Sequence, residues 1–163
     1  MSRARDMASG NSYKIGEVVQ KKWTATSTAY DVSDSTNFTT IITIPFTPRF
    51  SSSKILLSTD LQFGKRGTGE LQFNHRFIRN GSPVTTQLST NDAGAQYDIF
   101  RINTGIGWHS HIMYFAEDLP NTISEVTYGF QIIKQNPGGY DNVAVNFVNR
   151  SKTALIIEEI YNG

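Results

Sequence analysis

The chain has 163 residues, of which 38 % are hydrophobic and 12 % aromatic, with a formal net charge of +1 and no cysteine. That length supports one domain with a real core and is short for two. A charge near zero removes any global field for nucleic acid or an anionic membrane, the lack of cysteine excludes disulfides and thiolate sites, and no apolar run approaches the roughly 20 residues that span a bilayer.

The opening, Met1 through Gly10, has no apolar central region, so it does not read as a secretory signal, and synthesis in a cytoplasm is expected. Residues 1–12 read as a polar attachment arm ending in the joint Ser9-Gly10-Asn11-Ser12. Arg3, Arg5 and Met7 are its candidate contact residues; one helical turn there would be marginal unless docked on something. A frayed terminus is the plainer alternative. The rest, residues 13–163, is the expected β domain.

From residue 15 onward the pattern is the two-residue alternation of strands, clearest in Leu71-Gln72-Phe73-Asn74-His75-Arg76-Phe77. Residues 15–23 form the first expected strand, and a short one around Tyr30-Asp31-Val32 sits in the Thr/Ser-rich segment after it. Residues 38–46 alternate through Ile42, Ile44 and Phe46 until Pro48, and Ser51-Ser52-Ser53 is a turn. Residues 54–63 place Ile55, Leu57, Leu61 and Phe63 on one face. Residues 70–79 end at Asn80-Gly81, a strong tight-turn signal. Residues 82–96 are weakly patterned and rich in Thr, Ser, Asn and Gly, and a long exposed loop is expected within them. Strands over 97–102, 108–115, 126–133, 143–148 and 154–161 follow, with turn chemistry at Leu119-Pro120-Asn121-Thr122 and Asn136-Pro137-Gly138-Gly139.

Nine or ten strands with turns every 8–15 residues predict an all-β fold, an antiparallel two-sheet sandwich of jelly-roll type. In the last strand Ala154-Leu155-Ile156-Ile157 is apolar on both faces. Such a strand needs a second cover, either another subunit meeting Leu155, Ile156 and Ile157 or a loop of the same chain. Covering a few such side chains is worth several kcal/mol.

Candidate chemistry is sparse. His109 and His111 share a face, with Glu117 in the same phase, but a metal site needs further convergent ligands, so none is expected. His75 reads as a core residue. Glu158 and Glu159 are neighbours on a strand and point to opposite faces, so they cannot share a substrate; one reads as solvated and the other as paired with a Lys or Arg. Gly64-Lys65-Arg66-Gly67-Thr68-Gly69 lacks the spacing and following helix of a phosphate loop and reads as a basic hairpin tip. Lys21-Lys22-Trp23 and Arg76-Phe77-Ile78-Arg79 mix cations with aromatics without a wider basic field, so no nucleic-acid binding is expected. Trp108 and Tyr140 lie near strand ends, where they would either stack on a sugar or rim the core.

Three blocks of the chain, taken in order, resemble a known group. They are Pro48 with Ser51-Ser52-Ser53-Lys54-Ile55-Leu56-Leu57 and Phe77-Ile78-Arg79-Asn80-Gly81; Leu119-Pro120-Asn121-Thr122 with Thr127-Tyr128-Gly129-Phe130-Gln131; and Asn149-Arg150-Ser151 before Ala154-Leu155-Ile156-Ile157-Glu158-Glu159-Ile160. Together they resemble a β-sandwich domain of structural proteins in tailed phages, marine and cyanobacterial ones especially, often found at fibre tips. The opening Ser2-Arg3-Ala4-Arg5-Asp6 is similar to the start of some phage fibre and virion proteins. The resemblance implies a homotrimer in a virion assembled in the host cytoplasm, displayed outward, with no enzyme activity and no cofactor. The chain departs from the usual fibre in having no shaft, coiled-coil heptads or triple-helix repeat before the globular part.

The expected function is therefore a tail-fibre or fibre-like trimeric domain, docked on another virion protein by residues 1–12 and offering loops to a host surface, with glycan as one target. The alternatives are a capsid (head) decoration or head-fibre protein and, from another class, a free lectin-like carbohydrate-binding module.

Overall fold

Strands with one face buried alternate strictly, and β4, the strand Lys54–Lys65, does so from Lys54 to Phe63: Ile55, Leu57, Thr59, Leu61 and Phe63 are buried and the residues between them half-buried. The computed structural model describes residues 13–33, 36–65, 71–84, 86–87, 96–98, 109–134, 142–146 and 151–163. In chain order the other strands are β1 (Val18–Thr26), β2 (Tyr30–Val32), β3 (Thr39–Phe46), β5 (Phe73–Arg79), β6 (Ser82–Pro83), β7 (Thr86–Gln87), β8 (Gln96–Asp98), β9 (His109–Asp118), β10 (Val126–Lys134), β11 (Val143–Val145) and β12 (Thr153–Ile160). All the pairings are antiparallel and the described residues contain no helix.

Several of these strands are pieces of one line. One edge of β4 is taken by β12 over residues 54–60 and by β11 over residues 63–65, while β9 takes the other edge. β1 then pairs with β12, and β2 with β11, so β1 and β2 lie end to end. In the second sheet β10 lies between β3 and β5, and both β6 and β8 pair with the far edge of β5. Counting collinear pieces as one strand, and apart from the two-residue β7 that pairs with β9, the first sheet holds the first, eighth, third and sixth strands of the chain, and the second holds the second, seventh, fourth and fifth. That order is a jelly roll, eight strands in two Greek keys. The expected fold class is correct.

Phe46, Phe63, Phe73, Phe77, Tyr128 and Phe130 fill the space between the sheets. Phe63 meets Phe73, and Phe77 meets Phe130, edge-on at 5.0 and 5.2 Å, the arrangement that aromatic quadrupoles favour. His75 is in this core, fully buried, with its ring centroid 3.5 Å from that of Tyr114.

The registers give the sandwich two distinct ends. Residues 13–17, 47–53, 80–81, 119–125 and 161–163 all lie at one end, here called the base. The connections from β2 to β3, β4 to β5, β8 to β9 and β10 to β11 leave from the opposite, distal end. At the base, Asn80 and Gly81 have φ of 50° and 83°, so the turn between β5 and β6 is the two-residue type that Asn-Gly favours.

Within residues 82–96 the chain crosses between the sheets, β6 pairing with β5 and β7 with β9, while residues 88–95, where the long loop is expected, lie outside the described residues. The last strand carries apolar residues on both faces, as expected, but its burial is one-sided. Leu155 and Ile157 are fully buried in the core and Ile156 is on the half-exposed outer face, so β12 alternates like its neighbours.

Candidate interaction surfaces

The base is organised by a carboxylate removed from water. Glu159 points inward from β12 and is fully buried, a position that costs several kcal/mol unless donors surround it. It has them. Glu159 Oε1 accepts the Arg49 N–H at 2.8 Å, the Phe50 N–H at 3.1 Å and the Ser53 hydroxyl at 2.6 Å, and Oε2 accepts from Gln20 Nε2 at 2.7 Å. Gln20 Nε2 also donates to the Thr47 carbonyl at 2.8 Å. One side chain thus fixes both sides of the β3–β4 connection to β1 and β12. This corrects the expectation that the glutamate without a cationic partner is solvated: Glu159 is buried, and backbone N–H groups with Ser53 and Gln20 supply the compensation, a role that residue type alone does not reveal. Glu158, on the outer face, is the one paired with a cation, Lys21 at 2.8 Å.

Aromatic rings seal the same corner. Tyr161 packs on Phe50 at 5.0 Å and Tyr13 on Phe50 at 5.6 Å, while Arg49 donates to the Tyr13 hydroxyl at 3.0 Å. Gly16 N–H bonds to the Tyr161 carbonyl and Tyr161 N–H to the Glu17 carbonyl, at 2.8 and 2.9 Å. The segment that follows residues 1–12 and the segment after β12 are therefore stitched together at the base. Nearby apolar side chains stay in water, with Ile15 at 74 % and Ile123 at 63 % exposure.

Beneath the β9–β10 connection, Arg79 Nη1 bonds both carboxylate oxygens of Asp118, at 3.0 and 2.7 Å, and the Tyr128 hydroxyl donates to Asp118 Oδ2 at 2.7 Å. Burial, and then the adjoining Asp118 carboxylate, push the Tyr128 phenol far above its ordinary value, against a smaller opposing effect of Arg79. Arg79, Ser82, Pro83, Val84 and Asp118 line a cavity of about 70 Å³, room for a water or two rather than a ligand. Arg76 is likewise engaged within the chain, donating to Gln131 at 2.8 Å and lying 3.7 Å over the Phe38 ring. Lys22 donates to the Pro45 carbonyl at 2.6 Å, bridging the two sheets at their edge. The cations that accompany aromatics in the sequence thus serve the fold.

The outer face of the first sheet is different. Cross-strand pairing places Trp23, Ile156, Ser58 and Phe115 in one row running from β1 through β12 and β4 to β9. The row on the base side is Lys21, Glu158, Leu56 and Glu117, and that on the distal side is Ala25, Ala154, Asp60 and Met113. Trp23, Met113 and Phe115 are 67, 50 and 48 % exposed. A β-bulge between Val18 and Gln20 sets this face up. Val19, in phase with Trp23 by simple alternation, is buried, and after the bulge Gln20 turns inward and Trp23 outward.

Of the residues singled out from sequence, Ile156 is on this face while Leu155 and Ile157 belong to the core, so only the first remains available to a partner. Arg3, Arg5, Met7, Trp108 and Tyr140 lie outside the described residues, as do the side chains of His109 and His111. Glu117 lies six residues along the strand from His111, about 20 Å at the rise of a β-strand, and pairs with Lys54 at 3.2 Å, so it does not converge with the two histidines. Among the described residues no group of three or more His, Cys, Asp or Glu is placed to hold a metal.

No family profile and no curated protein sequence matches the chain. Among solved structures it is similar to VP2 of infectious bursal disease virus. In the VP2 subviral particle the TM-score is 0.48 at 8 % identity, with 90 % of this chain and 34 % of VP2 covered. For the Gt strain the values are 0.45, 10 %, 90 % and 38 %, and for the Gx strain 0.44, 9 %, 90 % and 40 %. The chain spans little more than a third of the length of these VP2 chains.

Proposed function

We propose that the chain is a structural protein of a tailed-phage virion: a homotrimeric jelly roll, docked on another virion protein by residues 1–12 and turning its distal connections toward the host surface. The observation that carries this reading is the polarity of the domain. Tyr13, which follows the arm, is clamped to Phe50 and Tyr161 at the base, whereas the connections between the sheets at the other end leave away from it. An anchor at one end and several connections at the other suit display. The absence of a catalytic constellation among the described residues, with Glu158 and Glu159 both committed to bonds within the chain, is compatible with a structural role.

Within this reading a fibre-like position on the tail is proposed first and decoration of the head second. Antibody labelling of intact particles separates them: signal at the tail supports the fibre, signal over the head supports decoration, and absence from purified particles overturns both. The jelly roll also occurs in lectin domains, so glycan binding by the isolated chain is the third outcome to measure. Binding abolished by replacing both Trp108 and Tyr140 with Ala would favour a carbohydrate-binding module.

A further inference from the structure

The outer face of the first sheet has the size and charge order of a surface that binds its own copy. Taking about 200 Å² for a large side chain, Trp23, Met113 and Phe115 with the half-buried Leu56 and Ile156 offer roughly 400 Å² of apolar surface. A standard interface covers about 800 Å² per partner, about 60 % of it apolar, so the patch is close to the apolar share of one interface. It also falls within the range of patches that are often functional.

Charge order selects the partner. On the base side of the apolar row the face carries Lys21 on β1, Glu158 on β12 and Glu117 on β9, and Lys54, one row nearer the base on β4, reaches Glu117 with its amine, so the sign alternates across the strands. Alternation in sign offers nothing to a uniformly charged polymer or membrane. It does complement itself when a second copy presents the strands in reverse order: Lys21 then faces Glu117, and Glu158 comes opposite Leu56 on β4, one row from Lys54. Trp23 and Ile156 meet Phe115 and Ser58 in the same operation. Reverse strand order with unchanged strand direction requires a symmetry axis parallel to the strands. Such an axis keeps every base at one end of the assembly and every distal connection at the other.

We propose that this face is the contact between copies of the chain, with the β1–β12 half of one copy against the β4–β9 half of the next around an axis parallel to the strands. In a three-fold assembly the three outer faces form the walls of a prism. The inference deepens the trimeric display reading and rests on it for the number of copies, but not for the choice of face.

Light scattering of the full chain at micromolar concentration tests it. Wild type is expected at a multiple of the 18.2 kDa chain mass. Replacing Trp23 and Phe115 with Ser should weaken association by roughly 30-fold or more, the usual loss on removing buried aromatic anchors, with an unchanged circular dichroism spectrum. Lys21→Glu should weaken association, and adding Glu117→Lys to the same chain should restore it. Lys21 and Glu117 are separated within one chain by three strand spacings, about 14 Å, so restoration can arise only between copies. A monomeric wild type overturns both the face and the trimer. An associated wild type indifferent to all these changes overturns the face and leaves the trimer standing.

Discussion

A buried carboxylate is stable only while its donors hold, and Glu159 draws on two backbone N–H groups of one connection, a serine hydroxyl and a glutamine amide. Glu159→Ala removes the acceptor and leaves those donors in a dry site, so a loss of about 3–4 kcal/mol in folding stability is expected in urea titrations, with Glu159→Gln losing about half as much. A change below 1 kcal/mol would mean that the base does not depend on this residue. Tyr128 gives a pH signature of its own. Its folded-state pKa lies above the unfolded value of about 10, so above that pH the folded protein retains a proton that the unfolded chain has begun to release. The associated stability is complete below about pH 10 and declines as pH rises beyond it. Melting temperatures taken across this range should therefore fall more steeply for wild type than for Tyr128→Phe, which at neutral pH forfeits a hydrogen bond to a carboxylate, about 2 kcal/mol.

At the level of elements, β12 shows what alternation can and cannot reveal. Leu155 and Ile157 face the core and Ile156 faces outward, so Leu155→Ala should cost about 3 kcal/mol of folding stability while Ile156→Ala costs about 1 or less and acts mainly on association. Equal losses in denaturant would contradict this division. The sheets were legible in the sequence because one-sided burial imposes a period of two, and Asn80-Gly81 announced its turn by the positive φ that both residues adopt. The outward turn of Trp23 was not legible, because it depends on a bulge between Val18 and Gln20 that leaves no mark in residue type. Nor was the splice between β11 and β12. There Asn146, at φ 54°, donates to the carbonyls of Thr26 and Thr28 and accepts from the Thr153 hydroxyl, contacts that exist only once distant strands have met. The buried role of Glu159 was not legible for the same reason: its partners, two backbone N–H groups, Ser53 and Gln20, are far away in the chain.

The molecule as a whole has a base and a distal end, and the proposed function depends on that polarity being used in the particle. The chain has no cysteine, so one introduced thiol reports one position. Ser33, after β2 at the distal end, and Ser52, between β3 and β4 at the base, are both exposed and differ from cysteine by one atom. The direct test is the maleimide reactivity of Ser33→Cys and Ser52→Cys, each measured in the isolated protein and in intact purified particles. Both thiols should react in the isolated protein; in particles the thiol at position 33 should stay reactive and that at position 52 should be protected. Protection of position 33 with free reaction at position 52 would contradict display from the distal end.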